Sequence, residues 1–158
     1  MATTADHAKS DDAFDGAKVA LFIGSRLIVM RRDNRPDIPF FDMWDFPGGG
    51  REGDETPFQT VARETMEEVG LHLPPDAISW QRAFRRTGDG LRLWFFVAHL
   101  PAVAEAEVIF GDEGQFWRLA DPDEVLTWPD VAGDLQQRLA LWRAGGPACD
   151  AALAGLRV

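Results

Sequence analysis

The apolar runs along the chain predict two β-hairpins. Residues 17–23 and 27–31 are apolar and rich in β-branched side chains, and a Gly-Ser-Arg turn separates them. Residues 78–86 and 91–100 form a second pair around a Thr-Gly-Asp-Gly turn. The later run, LRLWFFVAHL, is apolar almost throughout, which predicts a strand in the middle of a sheet.

Three shorter patterns predict further strands. Residues 44–46 alternate apolar, polar and apolar, as expected of a short strand that enters a glycine-rich loop. Residues 116–119, Phe-Trp-Arg-Leu, read as a final strand. Residues 103–110 are also a strand candidate, but two glutamates restrict them to the edge of the sheet.

A helix is predicted between Thr56 and Gly70. Thr56 is a favoured N-cap, Pro57 suits the first helical position, and Gln59 can complete a capping box. Gly70 can end the helix in a left-handed conformation. Side chains at three- and four-residue spacing predict its buried stripe, namely Phe58, Val61, Ala62, Thr65 and Val69.

Two helical patterns follow near the C-terminus. Residues 123–126 read as one helical turn, and residues 130–144 as a longer helix with Asp130 as N-cap and Gly-Gly-Pro as its stop. The stripe expected to pack against the sheet is Val131, Leu135, Leu139 and Trp142.

These elements predict an α/β fold, a mixed β-sheet between helices in an α/β/α sandwich. At 158 residues the chain is expected to form one domain. We assign residues 1–16 to a loosely ordered acidic tail, residues 17–146 to the folded domain and residues 147–158 to a C-terminal tail that could form a short helix.

The net charge and the cysteine content restrict which binding partners and which cellular compartment we expect. A net charge of −10 argues against a nucleic-acid polymer, yet it does not exclude a small phosphorylated substrate, because a bound cation reverses the local field. Cys149 is the only cysteine, which favours a reducing, cytoplasmic setting. No membrane span or signal-peptide pattern is visible in the sequence.

Three carboxylates converge on a second face of the predicted helix. Glu64, Glu67 and Glu68 stand at i, i+3 and i+4, a spacing at which like charges repel. Hard oxygen ligands of this kind, beside a glycine loop, are suited to Mg²⁺, with Mn²⁺ as an alternative. Arg63 can pair with one carboxylate and fix its rotamer. The alternative is an ordinary solvated acidic helix.

The same stretch resembles the Nudix box, the signature of the Nudix hydrolases. Gly49 and Glu55 are separated by five residues, and seven more precede the run RETMEEVGL at 63–71. Thr65 departs from the pattern where the family usually has an aliphatic residue, and Asp54 stands where many relatives have glycine. The resemblance implies a Nudix-type sandwich and metal-assisted hydrolysis of a nucleoside diphosphate linked to another group.

The resemblance also implies roles for individual residues. The carboxylates of Glu64, Glu67 and Glu68, with the carbonyl of Gly48 or Gly49, would hold the metal. Many Nudix enzymes carry an acidic loop before a strand with a tryptophan, as in GDEGQFWRLADPDEVL here. By that likeness Glu113 is a candidate further ligand or general base. Glu64, oriented by Arg63, is the other candidate base, and the sequence does not choose between them.

The loop after the first hairpin supplies candidate substrate contacts. Arg31 and Arg32 could bind phosphate, or they could be ordinary charges at a strand end. Phe40 and Phe41 could stack on a nucleobase, although plugging the loop onto the core is the commoner use of such residues and the one we favour.

Absent accessory marks place the chain nearest to one Nudix branch. It has no tyrosine, no proline within residues 81–87 and no SQPWPFPxS motif. These features mark the dinucleoside-polyphosphate, ADP-ribose and NADH pyrophosphatase branches, respectively. We therefore expect a nucleoside triphosphate, including an oxidised one, as substrate, with monophosphate and pyrophosphate as products. Nucleotide sugars or dinucleotides, and a non-catalytic nucleotide-binding module, remain alternatives.

An isopentenyl-type diphosphate isomerase is disfavoured because Cys149 lies in the terminal tail. Monomer and homodimer both stay open.

Overall fold

The structure is a computed structural model that describes residues 13–156. Within these residues one mixed sheet contains seven strands: β1 (Gly16–Ile23), β2 (Arg26–Arg31), β3 (Trp44–Asp45), β4 (Gly48–Gly50), β5 (Ile78–Arg85), β6 (Arg92–Leu100) and β7 (Phe116–Ala120). The α-helices are α1 (Pro57–Val69), α2 (Pro122–Val125) and α3 (Leu135–Arg143). Short 3-10 helices span Pro75–Ala77, Ala102–Glu107 and Ala151–Ala154.

The central strand is β1, which pairs along both of its edges. One edge lies parallel to β6 over the full length of β1. The other edge is shared, with β4 paired antiparallel to its first residues and β2 to its last. Strands β3 and β7 extend the sheet from β2, while β5 pairs antiparallel with β6. The glycine stretch is therefore part of the sheet rather than a free loop.

The two faces of the sheet carry separate hydrophobic cores, because successive strand residues point to opposite sides. Val19 and Leu21 of β1 pack in the core that includes Phe58 and Val61 of α1. Ala20 and Phe22 pack in the core that includes Leu135 and Leu139 of α3. This arrangement confirms the predicted α/β/α sandwich with a mixed sheet.

The local signals for α1 are confirmed in detail. The Thr56 hydroxyl accepts from the Gln59 backbone N–H at 3.2 Å, while the Gln59 side chain accepts from the Thr56 N–H at 2.9 Å. Gly70 ends the helix with φ of 70°. Thr65 is buried, and its hydroxyl donates to the Val61 carbonyl at 2.7 Å, so the departure from the usual aliphatic residue leaves no buried polar group unpaired.

One predicted element is wrong, and another is present but begins later than predicted. Residues 103–110 do not form an edge strand, because Ala102–Glu107 turns into a 3-10 helix after Pro101 and leaves Val103 and Ile109 exposed. The C-terminal helix begins at Leu135 rather than after Asp130. Asp130 instead forms an ion pair with Arg31, so these residues cross to the sheet before the helix starts.

The structure shows contacts on both sides of the predicted limits of the folded domain. Most of the predicted N-terminal tail lies outside the described residues, but Phe14 is buried and β1 already begins at Gly16. The predicted C-terminal tail docks on β5, where the Cys149 N–H donates to the Gln81 carbonyl at 2.8 Å. No helix in residues 13–156 combines the length and apolar character needed to cross a bilayer.

Candidate functional site

The glycine stretch forms a tight connection between β3 and the first turn of α1. Gly48 has φ of 136°, and a Cβ on it would overlap the Ala17 carbonyl and stand 2.6 Å from the Lys18 Cα. A residue with a side chain does not fit here, since only glycine tolerates this conformation and this approach. The backbone N–H of Gly48 donates to Oε1 of Glu68 at 2.9 Å. The stretch thus fixes one carboxylate of α1 through a main-chain hydrogen bond.

The predicted carboxylates of α1 line one open cavity together with the loop before β7. We call it the carboxylate cavity, of about 220 Å³, lined by Glu64, Glu67, Glu68, Asp112 and Glu113. The sequence brought Glu113 into the set only through a family likeness, and the structure places it beside the three helix carboxylates. Five acidic side chains around one cavity create a strongly negative field that favours a cation.

The loop that carries Glu113 is held by the C-terminal end of α1. The backbone N–H groups of Ile109 and Gly111 donate to the carbonyls of Val69 and Glu68, each at 2.9 Å. These carbonyls are left unpaired by the helix itself, so the loop satisfies them. A Cβ on Gly111 would overlap the Glu67 carbonyl, which explains the small residue at this point.

Burial and repulsion between neighbouring carboxylates disfavour the ionised forms of Glu64 and Glu68. Burial raises the pKa of Glu68 to about 8, although Lys18 and the Gly48 N–H oppose this shift. Burial also raises the pKa of Glu64, with the charges of Glu67 and Glu113 adding to the effect. A bound divalent cation would reverse both effects, because an opposite charge favours the ionised form.

The donor set therefore fits Mg²⁺ or Mn²⁺, both of which prefer carboxylate oxygens. In residues 13–156, no three Asp, Glu, His or Cys side chains already stand as a ready-made metal site. Glu67 is 56% exposed and able to change rotamer toward the cavity. Closing the set around a cation therefore requires side-chain rotation on α1.

Arg63 connects the carboxylate cavity to the start of α1. Its Nε lies 2.7 Å from Oε2 of Glu55, and its Nη2 donates to the Gly50 carbonyl at 2.9 Å. Its Nη1 lies 3.3 Å from Oε2 of Glu64 and 3.3 Å from Oε1 of Glu67. The ion pair with Arg63 lowers the pKa of Glu55 to about 2. Arg63 thus lies within hydrogen-bond distance of Glu64, the residue that it is predicted to orient.

Lys18 and Asp45 form a second ionic centre that the sequence analysis missed. The Lys18 Nζ donates to Oδ2 of Asp45 at 3.0 Å and to the carbonyls of Phe46 and Gly48 at 3.2 Å and 3.1 Å. Arg32 also donates to Oδ2 of Asp45, at 2.8 Å. A lysine inside an apolar strand pattern was the available signal, since a charge in such a place needs a partner.

The Gly48 carbonyl, a predicted metal ligand, already accepts a hydrogen bond from this lysine. The ammonium group 3.1 Å from the oxygen opposes a second cation at the same atom. Gly48 stays a ligand prediction, in which the metal would compete with Lys18, while its N–H fixes Glu68.

The predicted substrate contacts lie in two different environments. Arg31 pairs with Asp42 at 3.1 Å and with Asp130 at 2.7 Å, and Arg32 pairs with Asp45, so a phosphate would have to compete with carboxylates for either guanidinium. Phe40 and Phe41 are 42% and 44% exposed. The favoured interpretation, in which they plug the loop onto the core, is wrong, because their ring surfaces stay accessible.

The NUDIX domain model matches residues 15–140, most of the chain. An RNA pyrophosphohydrolase from Tolumonas auensis is 33% identical, over 46% of this chain and 50% of that protein. The chain thus spans half the length of this curated relative.

Two solved structures share the fold. The MutT protein from Methanosarcina mazei Go1 superposes with a TM-score of 0.65 at 20% identity, covering 82% of this chain and 92% of that one. A bifunctional NMN adenylyltransferase/ADP ribose pyrophosphatase from Francisella tularensis, complexed with AMP and a Mn ion, gives 0.64 at 17% identity. That match covers 89% of this chain and 45% of the larger protein.

Proposed function

Because the chain belongs to the NUDIX domain family, we propose that it hydrolyses a diphosphate bond in a nucleoside diphosphate linked to another group. The observation that carries this proposal is the carboxylate cavity, which Glu64, Glu67, Glu68 and Glu113 line and in which burial raises the pKa values of Glu64 and Glu68. The Mn ion in the Francisella complex supports a divalent cation as cofactor. We propose Mg²⁺, with Mn²⁺ as an alternative.

In this proposal each residue of the cavity has a distinct task. Glu64, Glu67, Glu68 and Glu113 would hold the cation, which when bound supplies charge neutralisation for the diphosphate and acidifies water. The Gly48 N–H keeps Glu68 aimed at the cavity.

We propose two carboxylates as candidates for the group that takes the proton from the attacking water. Glu64 is held by Arg63 at 3.3 Å, which fixes its orientation. Glu113 reaches the same cavity from the opposite loop. Glu64→Gln and Glu113→Gln are compared at saturating Mg²⁺, where the loss of one metal ligand is offset but loss of the general base still lowers kcat by roughly 100-fold or more.

We propose a nucleoside triphosphate, including an oxidised one, as the substrate, with release of monophosphate and pyrophosphate. The net charge of −10 supports a small nucleotide over a polymer, since each further phosphate of a nucleic acid adds repulsion. Nucleotide sugars and dinucleotides carry the same diphosphate and are the nearest alternatives.

A second candidate follows from the relatives named RNA pyrophosphohydrolase. An RNA with a terminal triphosphate presents the same bond to the carboxylate cavity. The polyanionic chain of this RNA would then pass over an acidic surface, where few phosphates contact cations. Added salt would therefore weaken its binding less than it weakens the binding of RNA to a basic protein.

The test is release of pyrophosphate and phosphate with Mg²⁺ or Mn²⁺ across nucleoside triphosphates, oxidised nucleotides, nucleotide sugars, dinucleotides and a short triphosphate RNA. Glu67→Gln should abolish metal-dependent turnover and keep the fold, because Glu67 is largely exposed. Full activity in this variant would overturn the ligand assignment. Absence of turnover with every substrate would favour a non-catalytic nucleotide-binding module.

A further inference from the structure

A second cavity lies beside the N-terminal end of α3, and its charge is opposite to that of the protein. We call it the arginine cavity, of about 210 Å³, and its charged residues are Lys18, Arg32, Arg86, Arg138, Asp45 and Asp134. Four cations and two carboxylates leave it positive in a chain of net charge −10. Such a local concentration of positive charge indicates a ligand that presents hydrogen-bond acceptors.

Most of these charges already have partners within the cavity wall. Asp45 receives both Lys18 and Arg32, and Arg86 binds Asp89 on the neighbouring turn. The remaining pair is Arg138 and Asp134, whose Oδ2 also accepts from the Thr87 backbone N–H at 3.0 Å. They are joined by one long hydrogen bond, from Nη2 of Arg138 to Oδ2 of Asp134 at 3.4 Å.

Arg138 is the unusual member because it is only 5% exposed. One face of its guanidinium stacks on Phe84, with 4.8 Å from Cζ to the ring centroid. Within residues 13–156, the bond to Asp134 is the only hydrogen bond that this group makes. A guanidinium has five N–H donors, so the part of Arg138 that lines the cavity can donate to acceptors on a ligand.

Part of the wall of the arginine cavity is apolar and aromatic. Phe40 is held with φ of 52°, a conformation that few non-glycine residues adopt. Its ring lies against Gly133, where a Cβ would stand 3.7 Å from its Cζ. Leu93 and Leu135 complete this wall. A planar ligand can therefore stack on a ring while its edge meets Arg138 and Asp134.

A third, smaller cavity adjoins both the arginine cavity and the carboxylate cavity. This middle cavity shares Arg32 and Asp45 with the arginine cavity. It shares Glu68 and Glu113 with the carboxylate cavity. A nucleotide with its phosphates at the carboxylates would extend through the middle cavity toward Arg138.

We propose that the arginine cavity binds the nucleobase of the substrate and selects guanine over adenine through Arg138 and Asp134. Guanine offers the adjacent acceptors O6 and N7 to a guanidinium, whereas adenine puts an amino donor at the first of these positions. Guanine also carries N–H donors on its next edge, which match the Asp134 carboxylate. This inference rests on the proposed function for the placement of the phosphates.

The test measures binding without turnover, by isothermal titration calorimetry of the full chain with GMP and with AMP. GMP should bind about 10-fold more tightly than AMP, the discrimination expected from one bidentate arginine contact. Arg138→Met should bring the two affinities within about 2-fold of each other by weakening GMP. The control is Arg143→Met, which removes one charge from the same helix outside the cavity and should keep the preference.

Phe40→Ala provides a second variant that does not depend on replacing a buried residue. Loss of the exposed ring should weaken GMP and AMP by the same factor, about 5-fold or more, because stacking does not distinguish purines. Equal binding of GMP and AMP by the unmodified protein, no binding of either, or an unchanged preference in a folded Arg138→Met variant would overturn the proposal.

Hydrolysis is assayed separately with GTP and ATP. Preferential GMP binding without hydrolysis of any substrate would overturn the proposed function and leave the guanine site standing. Hydrolysis of GTP and ATP with equal kcat/KM, together with equal GMP and AMP affinities, would overturn the guanine site and leave the proposed function standing.

Discussion

The carboxylate of Glu64 lies against the α-carbon of Gly49. A Cβ built on Gly49 would overlap Oε1 of Glu64 and stand 2.7 Å from its Cδ. The pairing of β4 with β1 holds the glycine in place, and α1 holds the glutamate, so neither backbone can withdraw easily. The absence of a side chain at Gly49 is therefore a condition for the rotamer that Glu64 adopts.

We expect Gly49→Ala to lower kcat strongly without unfolding the protein. The methyl group would displace the Glu64 carboxylate by about 1 Å, and a misplacement of that size lowers turnover by up to about 100-fold. Gly50→Ala is the matched control, since a Cβ there would meet only the Asp15 carbonyl at 3.8 Å, an ordinary contact. Equal kcat in the two variants, measured with thermal unfolding of each, would contradict the relationship.

The ion pair of Glu55 with Arg63 should make stability depend on acid pH. Its pKa falls from 4.5 to about 2 on folding, so the pair stabilises above about pH 4.5 and loses this contribution as the pH falls toward 2. Both side chains are about one-fifth exposed. Glu55→Gln should therefore lower the unfolding free energy by roughly 1–3 kcal/mol at pH 7.

The measurement is urea unfolding of both proteins at pH 7, 4 and 2.5. The difference between them should shrink steadily over this series, since glutamine does not titrate. A difference that stays constant with pH would show that Glu55 acts through packing and not through its charge.

Features encoded by neighbouring residues could be predicted from the sequence. The capping of α1 depends on Thr56, Gln59 and Gly70, whose partners lie within a few positions along the chain. The convergence of Glu64, Glu67 and Glu68 follows from helix geometry alone. For these features, the separation of the residues along the chain is enough to predict that their side chains meet.

Features that depend on tertiary contacts could not be predicted in this way. The partners Lys18 and Asp45 are 27 positions apart, and Arg31 and Asp130 are 99 apart. The second pair delays the start of α3 in spite of a good N-cap signal at Asp130. Arg138 was missed because a charged residue in a helical pattern normally faces solvent. Here the side of α3 that carries Arg138 packs into the protein and buries it.

Removal of divalent metal should lower the stability of the unmodified protein. A cation that binds only the folded state raises the unfolding free energy by about 2.7 kcal/mol at 100 times its Kd. We expect MgCl₂ added to EDTA-treated protein to raise Tm, and Glu67→Gln to reduce that rise. Glu107→Gln, which removes an exposed carboxylate outside the cavity, is the charge-matched control and should keep it. An equal Tm rise in all three proteins would indicate a non-specific salt effect.

Lys18 should be needed both for stability and for the geometry of the carboxylate cavity. Its ammonium is the common partner of Asp45 and of the carbonyls of Phe46 and Gly48, so it fixes the turn whose N–H orients Glu68. Lys18→Met keeps the length of the side chain and removes these bonds. It should lower the unfolding free energy by about 1–3 kcal/mol, the cost of leaving buried acceptors unpaired.

The same substitution should also lower kcat, because Glu68 would lose its fixed hydrogen-bond donor at Gly48. Lys18→Arg should recover part of both properties, since a guanidinium restores the charge but not the compact shape of the ammonium. Steady-state kinetics beside urea unfolding separates the two effects. A Lys18→Met protein of lowered stability with unchanged kcat would show that the lysine supports the fold only and leaves Glu68 in place.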